Sequence, residues 1–160
     1  MKATCVNIQL TSEKKGEHRM AWEQIPEELK QLRQWVCWRW EGKKKMLVNA
    51  RTGGNAQSNN PDTWTDFQTT VKAAPQYNGI GFMFKPPYFG VDLDHMEEDL
   101  ERYRKGDSKN IVAEFIHTLG SYAEYSQSGN GIHIICRAYC RPAVGAKTKW
   151  KCIKADGILS

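Results

Sequence analysis

The sequence predicts an α+β fold, a mostly antiparallel sheet with helices packed on it. Three features carry that expectation. Short β-branched and aromatic runs recur along the chain, among them WVCWRW at 35–40, GIGFMF at 79–84 and GIHIICRA at 131–138. Tight-turn residues join several of these runs to their neighbours, which favours hairpins over parallel crossovers. Three helical segments accompany them.

Taken in order, the first twenty residues are polar and aperiodic and read as a flexible tail over 1–22, with one domain over 23–160. Pro26, Glu27 and Glu28 suit the first turn of a short helix through IPEELKQL, because proline needs no donor there and acids complement the helix dipole. WVCWRW and KKKMLVNA then form strands around a turn at Glu41 and Gly42. The run ARTGGNAQSNNPDTW (50–64) is a long functional or ordered loop. Thr65 is placed to cap a helix through DFQTTVKAA that Pro75 ends. GIGFMF and YFGVDLD read as an antiparallel pair separated by KPP, and Met96–Asp107 as a charged surface stretch. SKNIVAEFIHTLG is helical by the spacing of Ile111, Phe115, Ile116 and Leu119, with Ser108 as candidate cap and Gly120 as stop. SYAEYS and GIHIICRA flank QSGNG as strand, tight turn and strand.

At 160 residues, 40% hydrophobic and 26% charged, the chain is long enough to bury a core without staples. No run reaches the ~18 apolar residues of a membrane span, and the N-terminus has no apolar signal segment, so a cytoplasmic protein without a membrane partner is expected. The five cysteines are odd in number and form no CxxC, which favours free thiols. Cys136, Cys140 and Cys152 fit no standard zinc spacing. Seven Lys or Arg stand against Glu41 alone between Lys30 and Arg51, and six stand against no acid between Arg137 and Lys154. Interleaved with Trp35, Trp38, Trp40 and Trp150, they fit a phosphate-backbone binder whose indoles stack on bases; taken alone, a solvated face over core tryptophans is the simpler reading.

Two constellations carry chemistry. In GVDLDH, strand alternation sends Asp92 and Asp94 to one face about 7 Å apart at Cα, with Val91 and Leu93 on the other. Like charges that close call for a cation, and all-oxygen ligation favours Mg²⁺ or Mn²⁺; the alternative is a strand end with both acids in solvent. In SQSGNGIHII, Gly129 and Gly131 allow a turn whose amides converge on a phosphate, Ser128 adds a hydroxyl, and His133 projects from the face opposite Ile132 and Ile134. An ordinary hairpin with a satisfied histidine is the alternative there. His95 is ligand, outer-shell group or bystander.

In order along Ile25 to Arg137, the segments IPEELKQLRQWVCWRWE, LVNARTGGNAQSNNPDTWTDF, NGIGFMF, GVDLDH and IVAEFIHTLGSYAEYSQSGNGIHII resemble the bifunctional primase-polymerase domains of phage and plasmid replication proteins, in the archaeo-eukaryotic primase superfamily. The resemblance implies an RRM-like core and a nucleotidyltransferase acting in DNA replication. It implies that Asp92 and Asp94 bind the metals, that Ser128, Gly129, Gly131 and His133 belong to the motif contacting the nucleotide phosphates, and that Asn49, Thr52, Ser58 and Trp64 shape the site or touch a strand. Single-stranded DNA, nucleoside triphosphates and a replicative helicase are the partners it implies. The family's third acidic motif, however, has no matching run after Glu124, where Asp156 is the only acid. A module incomplete at its C-terminus, weakly active or inactive, is therefore expected. The competing functions are a metal-dependent nuclease using the same acids and a non-catalytic single-stranded nucleic-acid or nucleotide binder.

Overall fold

The computed structural model describes residues 5–8, 21–126, 129–142 and 150–156, with side chains over 22–126 and 129–137. Where the sequence reads as one domain from residue 23, the chain divides into two compact units, Met1–Phe84 and Lys85–Ser160. Each is an antiparallel sheet with helices, so the α+β class holds in both.

The first unit runs β1 (Cys5–Ile8), α1 (Glu27–Lys30), β2 (Trp35–Glu41), β3 (Lys44–Val48), α2 (Phe67–Ala73) and β4 (Gly79–Met83). Its sheet order is β1-β4-β2-β3. β1 lies inside the stretch expected as a tail and pairs with β4 from Cys5–Met83 to Ile8–Ile80. Trp35 centres the core: fully buried, it meets Phe67 and Phe82 edge-on at 4.9 and 5.1 Å and donates from Nε1 to the Leu29 carbonyl at 3.0 Å. Asp66, not Thr65, caps α2 by accepting from the Thr69 amide at 2.9 Å. Thr65 is buried instead, bonded to the Thr70 hydroxyl at 2.7 Å, because its backbone bridges to Trp35 and turns the side chain inward.

The second unit runs β5 (Tyr88–Leu93), α3 (Glu97–Arg104), α4 (Ile111–Leu119), β6 (Tyr122–Tyr125), β7 (Ile132–Pro142) and β8 (Trp150–Asp156). β7 lies between β5 and β6, and β8 pairs with its far end. One face of this sheet is apolar: Ile132, Ile134 and Cys136 form a core with Leu100 of α3 and Val112 of α4. Two expectations change here. β4 and β5 do not pair across KPP, since β4 joins the first sheet and β5 the second; consecutive prolines offer no N–H to close a hairpin. The charged stretch after Met96 is helical, with Glu97, Glu98 and Asp99 in the first turn, Arg102 and Arg104 in the last, and Leu100 1% exposed. Asn110 rather than Ser108 caps α4, accepting from Ala113 at 2.9 Å, and Gly120 ends the helix at φ 51°.

Gly79 stands opposite Trp38, and a Cβ there would lie 2.7 Å from the indole Nε1. Because Trp38 is fully buried and cannot yield, Gly79→Ala is expected to destabilise the protein by about 2 kcal/mol, an overpacking cost read as a lower urea midpoint at unchanged m-value.

Candidate functional site

β5 delivers the first acid. Val91 and Leu93 pack against the helix-covered core, which assigns Asp92 to the opposite face. The strand ends at Leu93, so Asp94 occupies the first position beyond it rather than a place in the ladder; both aspartates are exposed. His95 follows, exposed, at φ 57°. Partial burial pushes the Asp92 carboxyl above its usual range; the charge of His133 opposes that shift, and the neighbouring charge of Asp94 adds to it. Two carboxylates this close raise the cost of ionising both.

β7 supplies His133, and its register places that residue opposite Asp92 on one side and Glu124 on the other. His133, 5% exposed, therefore lies in a row of three side chains on three neighbouring strands. Its Nε2 is 3.3 Å from Asp92 Oδ1, and its Nδ1 is 3.7 Å from Glu124 Oε1. The other oxygen of Glu124 accepts from the Tyr122 hydroxyl at 2.9 Å. His133 Nδ1 and Glu124 Oε1 are both buried without a hydrogen bond, so each is the partner nearest to hand for the other. A shift of a few tenths of an ångström closes that bond. Burial holds Glu124 well above the usual carboxyl range, against the lowering effect of His133 and Tyr122.

The turn between β6 and β7 is closed by Ser126. Its N–H donates to the Gly131 carbonyl at 2.8 Å, its hydroxyl accepts from the Gly131 N–H at 2.9 Å, and its carbonyl accepts from the Gly129 N–H at 2.9 Å. The two glycine amides considered for a phosphate nest are thus engaged inside the turn. Gly129 takes φ 76°, a conformation glycine adopts without strain. Ser128 lies outside the described residues. Gly131 has a different duty: a Cβ there would collide with the Leu93 carbonyl oxygen and press on Asp94 Cα at 3.3 Å. The Met96 N–H donates to the Asn130 carbonyl at 2.8 Å. Together these contacts bring the GVDLDH and SGNGIH segments side by side.

Asn49, Thr52, Ser58 and Trp64 belong to the first unit, where Asn49, Thr52 and Trp64 order its long loop. Asn49 Oδ1 accepts from the Arg51 and Thr52 amides at 2.9 and 3.2 Å, Thr52 Oγ1 accepts from the Gly54 amide at 3.3 Å, and Trp64 Nε1 donates to the Gln57 carbonyl at 2.8 Å. Among the described residues no three His, Cys, Asp or Glu side chains converge to hold a metal ion. Cys37 and Cys136 are free and buried. Asp156 holds the register position opposite Arg137, with its side chain outside the described residues. Glu124 is the site residue that motif spacing overlooked. The signal was present: pairing Tyr125 with Ile132 across the turn puts Glu124 opposite His133.

Gly131→Ala is expected to displace the Leu93–Asp94 backbone and lower the thermal midpoint, whereas Gly129→Ala costs only the φ strain; comparing the two melts tests the close approach. Glu124→Gln tests the buried carboxyl. With its pKa raised in the folded state, Glu124 takes stability from the fold as pH rises above the ordinary glutamate value, and the cost stops growing once pH passes the folded value. The stability of Glu124→Gln relative to wild type is therefore expected to rise as pH increases above the ordinary glutamate range, measured by urea unfolding at each pH.

No protein-family model matches the chain. Over 126 residues, 76% of this chain, it is 29% identical to the DNA primase-polymerase of Nitratiruptor phage NrS-1. The chain spans 17% of that protein's length. That similarity agrees with the family that GVDLDH and SGNGIH resemble.

Proposed function

We propose that this chain is a nucleotidyl-transfer module of the primase-polymerase type, extending DNA on a single-stranded template with nucleoside triphosphates. The observation that supports it most is the juxtaposition of Asp92 and Asp94 with His133, brought about by the Gly131 approach and the β5–β7 register. The two carboxylates fit a divalent cation. They are exposed, they repel each other, and Mg²⁺ or Mn²⁺ commonly takes one or two protein carboxylates and completes its shell with water and substrate phosphates. When bound there, the cation would lower the pKa of a primer 3′-hydroxyl and neutralise charge on the transferred phosphate.

The protein groups divide the remaining work. Asp92 and Asp94 fix the position of the reacting oxygens. Asp92 and Glu124 flank His133 at its two nitrogens, at 3.3 and 3.7 Å. With Asp92 and Asp94 holding a cation, His133 Nε2 would be free to donate to a phosphate oxygen of the incoming nucleotide. Gly129 and Gly131 shape the turn rather than lend it free amides.

Primer extension with dNTPs in Mg²⁺ or Mn²⁺ tests the proposal. Asp92→Asn and Asp94→Asn are expected to abolish metal-dependent extension, and His133→Ala to lower it on the order of 100-fold, with folding intact by circular dichroism. Shortening of the labelled strand in place of extension would identify a nuclease. Binding of single-stranded DNA without extension, unchanged by the aspartate variants, would identify a non-catalytic binder.

A further inference from the structure

The β2–β3 hairpin runs on past the rest of its sheet. β4 accompanies β2 only to Trp38, opposite Gly79. β2 and β3 stay paired beyond that point through Arg39–Met46, Trp40–Lys45 and Glu41–Lys44. The tip turns at Gly42 with φ 60°, and Trp40 through Lys44 are exposed.

An indole 49% exposed is not unusual by itself; its setting is. Its backbone N–H is tied to Asn78 Oδ1 at 3.0 Å, and its ring meets the buried Trp38 edge-on at 5.8 Å. The ring is therefore positioned rather than loose. Lys45, its cross-strand partner, shares its face and lies over the Trp38 ring at 4.2 Å. Arg39 grips the tip's one acid, Glu41, through Nε at 2.9 Å and Nη2 at 2.6 Å. Among the described residues, no carboxylate is left within ion-pairing distance of Lys43 or Lys44.

We propose that this hairpin is a binding platform for single-stranded nucleic acid: Trp40 stacks on an unpaired base while Lys43, Lys44 and Lys45 meet the phosphates beside it. The positive tip selects a polyanion, and a half-exposed indole beside Lys45 suits an unstacked base, which a duplex does not offer. The choice of DNA as the strand rests on the primase-polymerase function proposed above.

The test is fluorescence anisotropy of labelled oligodeoxythymidylate of about 20 nucleotides in EDTA, across a salt series. Trp40→Leu, which keeps apolar bulk but removes the stacking face, is expected to weaken binding about 10-fold, and Trp40→Phe by less than about threefold. The triple variant Lys43→Ala/Lys44→Ala/Lys45→Ala is expected to reduce the salt slope by about 2. Melting curves for all variants should overlay the wild type. Wild-type affinity in Trp40→Leu, or an equal loss of affinity for duplex and single strand, would overturn the proposal; so would absence of binding by the wild type. Primer extension run in parallel separates the two proposals. Loss of binding in Trp40→Leu with no extension by the wild type leaves the platform standing and removes the polymerase, whereas extension with unaltered binding does the reverse.

Discussion

The register of β7 against its two neighbours is the constraint on which the second unit depends. One pairing sets Asp92, His133 and Glu124 in a row, and a slip of one residue on any strand would send one of them into the apolar face. What holds the register is on that apolar face: Ile132, Ile134 and Cys136 alternate with His133 and Ile135 along one strand, and Leu100 and Val112 seal them from the helix side. The hydrophobic core thus specifies the polar row without touching it. A histidine 5% exposed between two carboxylates is costly to bury, so the row is retained only where the packing beneath enforces it.

Much of this was legible in the sequence. Period-2 alternation found the faces of Val91, Asp92 and Leu93 and of Ile132, His133 and Ile134, though the strand stops before Asp94, and hydrophobic spacing found α4. The failures have physical causes. α3 was hidden because Glu97–Arg104 carries acids and bases all round and buries only Leu100, so its apolar signal is one residue wide. Cap positions shifted by one or two residues because Thr65 and Asp66, or Ser108 and Asn110, are chemically alike, and only the backbone decides which is at the helix edge. Glu124 was missed for a different reason: a glutamate in a short strand reads as a solvent-facing residue, and only the ladder register shows that it is buried beside His133.

The first unit shows how a motif acts without chemistry of its own. Asn49 folds the loop onto itself by accepting two amides, and Trp64 packs with Val36 and Met83 while bonding the Gln57 carbonyl. Such residues make a long loop behave as an element, because its backbone groups find partners inside the segment. Their presence in a sequence pattern is therefore explained by loop geometry before any contact with a substrate is invoked.

The two glycines of SGNGIH separate conformational need from spatial need. Gly129 adopts φ 76° with open space around its α-carbon, so its identity answers to the turn alone. Gly131 has no such backbone demand, yet a methyl group there would strike the Leu93 carbonyl and Asp94. Its identity answers to the approach of a second chain segment, the one that carries the aspartates. The spacing SGNG, which first looks like a phosphate nest, is better understood as a hinge-free joint. One glycine bends the chain, the other admits its neighbour, and the amides that might have met an anion hold the bend closed. The turn thus supports the strand face beside it, where Asp92 and His133 stand opposite each other in the β5–β7 register.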